Sequence, residues 1–129
     1  MSAIQELSQA EYLSLVTFRK SGKEVATPVW AAEEGGCFYV FSEGKAGKVK
    51  RLKNSPRARL ATCTVSGTVT GDSHQAKATI LDSEREIQTA YRVLRKKYGW
   101  KMFLLDLGSR IAGKYHKRAF IKLVLCEKP

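Results

Sequence analysis

The chain has 129 residues, 43% apolar and 27% charged, a mixture that suits one globular domain and excludes a disordered tail or a collagen-like repeat. Lys and Arg number 23 against 12 acidic residues, a net charge of +11. Such an excess points to an anionic partner without choosing among nucleic acid, acidic lipid and a phosphorylated small molecule.

In chain order, Ser2 with Gln5 three residues later forms a capping-box signature, so a short helix is expected within residues 1–11. Tyr12-Leu-Ser-Leu-Val-Thr-Phe18 alternates with a period of two, placing Leu13, Leu15 and Thr17 on one face of a strand. A turn through Gly22 leads to a second strand over 24–32, and Gly35-Gly36 leads to a third over 37–42. Pro28 cannot donate to a sheet ladder, which argues for an edge, a bulge or an opening there. Residues 46–54 switch to helical spacing through Val49 and Leu52, and Pro56 stops them. Strands are expected over 57–65, 68–70 and 74–81. A helix from Ser83 stops at Gly99, a shorter helix is expected over 100–111, and a closing strand over 118–126.

The expected fold is therefore mainly β: a small antiparallel barrel of six or seven strands in one domain over 1–129. A helical insertion at 83–112 precedes the last strand. A barrel of this size fills its own interior, so a ligand is expected outside it, in a groove or at a subunit boundary. No run reaches the roughly 18 apolar residues of a membrane span, and the first residues show no secretory pattern. Three cysteines, at 37, 63 and 126, form neither a CxxC pair nor an even disulfide set. A cytoplasmic protein with free thiols and no membrane partner is the expectation.

No catalytic or metal-binding motif is present, and His74 and His116 are isolated. No side chain is assigned a catalytic or metal-binding role, so an enzyme here would borrow its reactive centre from a cofactor. The best binding candidate is the stretch from Ser42 to Leu52. A strand ends, glycines let a ligand approach, and a short helix begins with Lys48, Lys50 and Arg51 adding charge. A solvated basic face remains an equal alternative from these residues alone. The seven basic residues within 44–71 come with no acid and no aromatic residue. Without stacking platforms, a nucleic-acid-binding barrel is disfavoured.

The succession Tyr12-Leu-Ser-Leu-Val-Thr-Phe18, Ala26-Thr-Pro-Val-Trp30, Phe38-Tyr-Val-Phe-Ser42, Gly47-Lys-Val-Lys-Arg-Leu52, Ser55-Pro-Arg57 and Gly67-Thr-Val-Thr-Gly71 resembles the pyridoxamine 5'-phosphate oxidase-like split-barrel family. Within it, the chain is similar to the flavin- and deazaflavin-dependent oxidoreductase branch. The resemblance implies a homodimer with coenzyme F420, or alternatively FMN, in clefts between subunits. It also implies hydride transfer to a small, planar substrate. Lys48 and Lys50 would hold the cofactor phosphate, with Arg51 and Lys45 as weaker contributors. Thr27, Pro28, Val29, Trp30, Phe41 and Ser42 would flank the ring. An FMN-binding protein with little turnover is the alternative. Two positions depart from the family: Gly47 stands where the phosphate segment carries an arginine, and Ala26 where the ring strand begins with one. Oxidation of pyridoxamine phosphate is accordingly disfavoured. Lys97, on the late helix, is expected to contribute little to such a site.

Overall fold

The computed structural model describes residues 2–43, 47–102, 104 and 118–126. Three helices are α1 (Ala3–Gln9), α2 (Gly47–Asn54) and α3 (Glu84–Tyr98). The strands are β1 (Tyr12–Phe18), β2 (Glu24–Val29), β3 (Ala31–Glu34), β4 (Cys37–Glu43), β5 (Arg57–Cys63), β6 (His74–Ile80) and β7 (Arg118–Leu125). They form one antiparallel sheet in the order β2-β1-β5-β6-β7-β4-β3.

What the alternation suggests as one strand over 24–32 is two, broken at Trp30. They lie at opposite edges of the sheet yet are joined by a single residue, so the sheet must curl until its edges meet at Trp30. The register shows the same closure. A line of cross-strand partners leaves Glu24 and crosses β1, β5, β6, β7 and β4. It returns at Glu34, ten residues further along, with the β1–β5 register carried two residues past its last pair. Such a stagger accompanies the tilt of barrel strands.

Every strand contributes to the interior: Leu13, Leu15, Val29, Ala31, Phe38, Val40, Ala58, Leu60, Ala76, Ala78, Ile121 and Leu123 form one buried cluster. Leu7 of α1 and Leu52 of α2 join it. Each fully buried Leu there contributes about 1.5–3 kcal/mol relative to exposure. The outer face of β3, β4 and β7 is apolar as well, because α3 covers it. Ala32, Tyr39 and Phe120 meet Ala90, Val93, Leu94 and Tyr98 in a second buried cluster. Alternation along β4 thus sends Phe38 and Val40 inward and Tyr39 and Phe41 outward.

The local signals place the helix ends. Ser2 and Gln5 make the reciprocal capping box of α1, Ser83 accepts from the Glu86 amide to start α3, and Gly99 takes φ 54° to stop it. The stretch 68–70 is not a strand: only Val69 makes a bridge, to Cys63. Of the helix expected over 100–111, residues 103 and 105–111 lie outside the described residues, whereas Trp100 to Met102 are helical. Among the described residues, no helix is long and apolar enough to cross a membrane. The three thiols are free: Cys63 is buried, Cys37 half-buried and Cys126 exposed.

Candidate functional site

Helix α2 packs by Val49 and Leu52, and its phase separates the three cations assigned to it. Positions 48 and 51 are neighbours on a helix surface, whereas 50 points elsewhere. Lys50 is exposed, and Lys48 and Arg51 are half-buried. Arg51 Nε donates to Thr17 Oγ1 at 2.6 Å, tying α2 to the end of β1. Burial and the neighbouring Arg51 push the Lys48 ammonium below its ordinary range. Burial and Arg19 do the same to Arg51. Neither cation forms an ion pair with a carboxylate among the described residues. Lys45 lies outside the described residues.

Gly47 acquires a meaning here that its absent side chain hides in the sequence. A Cβ built on it would lie 2.7 Å from Arg51 Nη1. The Arg51 guanidinium therefore reaches back over the start of α2, into the space that a side chain at position 47 would enter.

Thr17 pairs with Val25, and Leu15 with Thr27, so Arg51 is anchored one or two rungs from the strand that carries the other candidates. Those candidates divide by face. Val29 is buried in the barrel interior, and Thr27, two residues earlier, shares its face. Ser42 is likewise buried, on the inward phase of Val40. A ligand outside the barrel can meet Val29 only through its main chain, whereas Thr27 is half-buried. Pro28 lies on the edge strand β2, opposite Ser14, as its missing N–H demands.

Trp30 and Phe41 are brought together on the outer surface, edge to face with centroids 6.4 Å apart. The indole also lies flat on Tyr98, 4.5 Å away with planes 9° apart. Phe41 is flanked by Phe120 and by the Arg118 guanidinium at 4.8 Å. Along β2, from the rung of Thr17 and Val25 to Trp30, five residues span about 16 Å. One end of this short track is cationic and the other aromatic.

Two contributors go unnoticed in the sequence. Lys97 is half-buried rather than free: its Nζ donates to the carbonyls of Ala10 and Ala31 at 2.6 and 2.7 Å. Burial lowers its ammonium to about 8, against a smaller opposing pull from Glu11. Tyr98 is buried, its hydroxyl pushed upward by burial, and it accepts from the Ala31 amide at 2.9 Å. The helical phase of Tyr98 marks it as a packing residue, but nothing local announces the buried role of Lys97.

No family model matches the sequence, and no curated protein does. Solved structures do. A protein assigned as a pyridoxamine 5'-phosphate oxidase from Listeria innocua superposes with a TM-score of 0.67 at 13% identity, over 96% of this chain and 90% of that one. An F420 reductase gives 0.64 at 14% identity, over 98% and 95%. The heme storage protein of Vibrio cholerae gives 0.70 at 11%, over 96% and 87%. The chain has the pyridoxamine 5'-phosphate oxidase-like split-barrel fold. The fold expected from the order of motifs is thus present, and the strand broken at Trp30 is where the two edges of its sheet meet. By their names, the three include an oxidase, an F420 reductase and a heme storage protein; the likeness of this chain to them extends to fold.

Proposed function

We propose that the protein is an oxidoreductase that binds coenzyme F420, with FMN as the alternative, in clefts between two copies of the chain. The observation that carries this reading is the half-buried pair Lys48 and Arg51, two cations that repel each other with no carboxylate partner among the described residues. A phosphate would relieve that repulsion, and charge-assisted contacts of this kind are short and strong. Arg51, reaching over Gly47, supplies the second cation that the family places at the glycine's position. Lys50, exposed on the other side of α2, contributes only longer-range attraction.

The aromatic end, Trp30 with Phe41, forms the wall for a planar ring, and the main chain of Thr27, Pro28 and Val29 lines its edge. When bound, the cofactor supplies the redox chemistry, passing a hydride to a small planar acceptor. The protein's own residues bind the phosphate, orient the ring and exclude water. Backbone donors can stabilise charge that develops on reduction without a side-chain acid or base. We place the protein in the cytoplasm as a homodimer of about 29 kDa, twice the 14.4 kDa chain.

F420 is preferred over FMN because the cationic surface continues past Arg51. A groove of about 410 Å³ at the same end is lined by Phe18, Arg19, Lys20, Gly22, Asn54, Ser55 and Arg57, with no carboxylate among these residues. A lone phosphate leaves that surplus unused, whereas an oligoglutamate tail would use it. Nucleic acid is a poorer occupant. Phe18, the groove's aromatic residue, is 6% exposed and lies beneath the guanidinium of Arg57, so it offers no open face for base stacking.

Titration of the purified protein with FMN and with F420 at low and high salt tests the proposal. F420 affinity should exceed FMN affinity at low salt and fall more steeply as exposed charges are screened. Salt-insensitive FMN binding with no F420 binding would leave a flavin protein; binding of neither would remove the reading.

A further inference from the structure

The residue next to Trp30 in the strand is held in an unusual way. Ala31 lies where the two sheet edges meet, and its amide and carbonyl are both engaged by α3 side chains. Its N–H donates to Tyr98 Oη, and its carbonyl accepts from Lys97 Nζ. The Tyr98 hydroxyl donates onward to the Glu11 carbonyl at 2.7 Å, and Lys97 also holds the Ala10 carbonyl. Two consecutive side chains thus satisfy main-chain groups of β3 and of the segment entering β1, at an edge where a neighbouring strand would otherwise do so.

The same tyrosine presents its ring face to Trp30. Phe41 closes on the indole from another side, edge on. The indole plane is therefore set by one aromatic residue that is itself fixed by hydrogen bonds to the strand carrying the indole.

We infer that Tyr98, seconded by Lys97, is a positioning residue for the ring site: it acts through Trp30, fixing the indole as a rigid wall against which a planar cofactor stacks. The inference rests on the cofactor reading above, and it assigns to the end of α3 a part in ligand binding that the sequence gives to β2, β4 and α2 alone. Tyr98 touches no reacting atom. Its influence passes through the stacked pair and through the backbone at Ala31.

A double-mutant cycle on the full chain tests it, with FMN as probe. Affinity is read from flavin fluorescence, and ring environment from the visible band of bound FMN. Tyr98→Leu should weaken FMN binding about three- to tenfold, the worth of an aromatic pair, and shift the bound-flavin band. In a Trp30→Ala background the same substitution should change affinity less than twofold, because the route of its action is gone. Tyr98→Phe, which keeps the stack and loses the hydroxyl, covers the case in which Tyr98→Leu does not fold; it should shift the band in the wild-type background and leave it unmoved in Trp30→Ala. Equal effects of Tyr98 substitution in both backgrounds, or lowered stability with unchanged FMN affinity and band, would overturn the inference while sparing the cofactor reading. A wild-type protein that binds neither FMN nor F420 would overturn both.

Discussion

Replacing Lys48 with alanine separates binding from folding more cleanly than any other change at the site. In the unliganded chain the Lys48 ammonium is half-buried and lies beside Arg51, with burial the larger cause of its lowered pKa. Removing it relieves both penalties, so stability should stay level or rise slightly, and α2 gains the best helix-forming residue. With a phosphate present the balance reverses. A charge-assisted contact in a partly desolvated place is worth about 1.5–3 kcal/mol, or roughly ten- to a hundredfold in affinity. Arg51 remains, held by Thr17, so binding is weakened rather than abolished. The assay is cofactor titration alongside urea denaturation of the same variant, with exposed Lys96 changed to alanine as control. Lys97 cannot serve as that control, since it holds two carbonyls. A folded Lys48→Ala protein with wild-type affinity for both FMN and F420 would refute the phosphate site. A fall in stability as large as the fall in affinity would refute the claim that the lysine is held at a cost.

Further consequences are equally open to measurement. Gly47→Ala should push the Arg51 guanidinium off its place, since the new Cβ would stand 2.7 Å from Nη1; cofactor affinity should fall several-fold despite the better helix propensity of alanine, and unchanged affinity would detach Arg51 from the site. Lys97 has a folded-state pKa of about 8, below its ordinary 10.5. Between those values the unfolded chain holds the extra proton, so this group's contribution to stability rises with pH across that window and is flat below it. Urea midpoints from pH 7 to 10.5 should show a rise that flattens in Lys97→Met. Cofactor affinity should fall at alkaline pH as Lys48, lowered by burial, loses its proton; a flat profile would mean that the lysine is not a phosphate ligand. Leu60→Ala, at a fully buried position in the barrel, should cost about 2–5 kcal/mol in denaturant titration, and a smaller loss would indicate a loosely packed interior.

Much of the fold is legible in the chain because its signals are local. The alternation of Leu13 and Leu15 with Ser14 marks the inward face of β1, and the Ser2–Gln5 pair and Gly99 mark helix ends by capping chemistry. The break at Trp30 is not legible, because the apolar run from Val29 to Ala32 carries no turn signal. What divides the strand is the closing of a sheet whose partners lie tens of residues away. The same limit applies to the site. That Lys48 and Arg51 converge while Lys50 diverges follows from helical phase once Val49 and Leu52 are taken as the buried face. Whether Val29 and Ser42 face a ligand depends on which side of the barrel is the interior, which one strand alone does not reveal. The partnership of Lys97 and Tyr98 with Ala31 joins residues more than sixty positions apart, so only the folded chain displays it.

The claim that α2 and the joint at Trp30 together hold a flavin-type cofactor has one most direct test: the absorbance spectrum of the concentrated, freshly purified protein, followed by stoichiometric titration with F420 and FMN under low salt. The account predicts a bound chromophore, or saturable uptake of one cofactor per chain, with affinity weakened by Lys48→Ala and by Trp30→Ala alike. A colourless protein that takes up neither cofactor, or one whose uptake is indifferent to both substitutions, would contradict it.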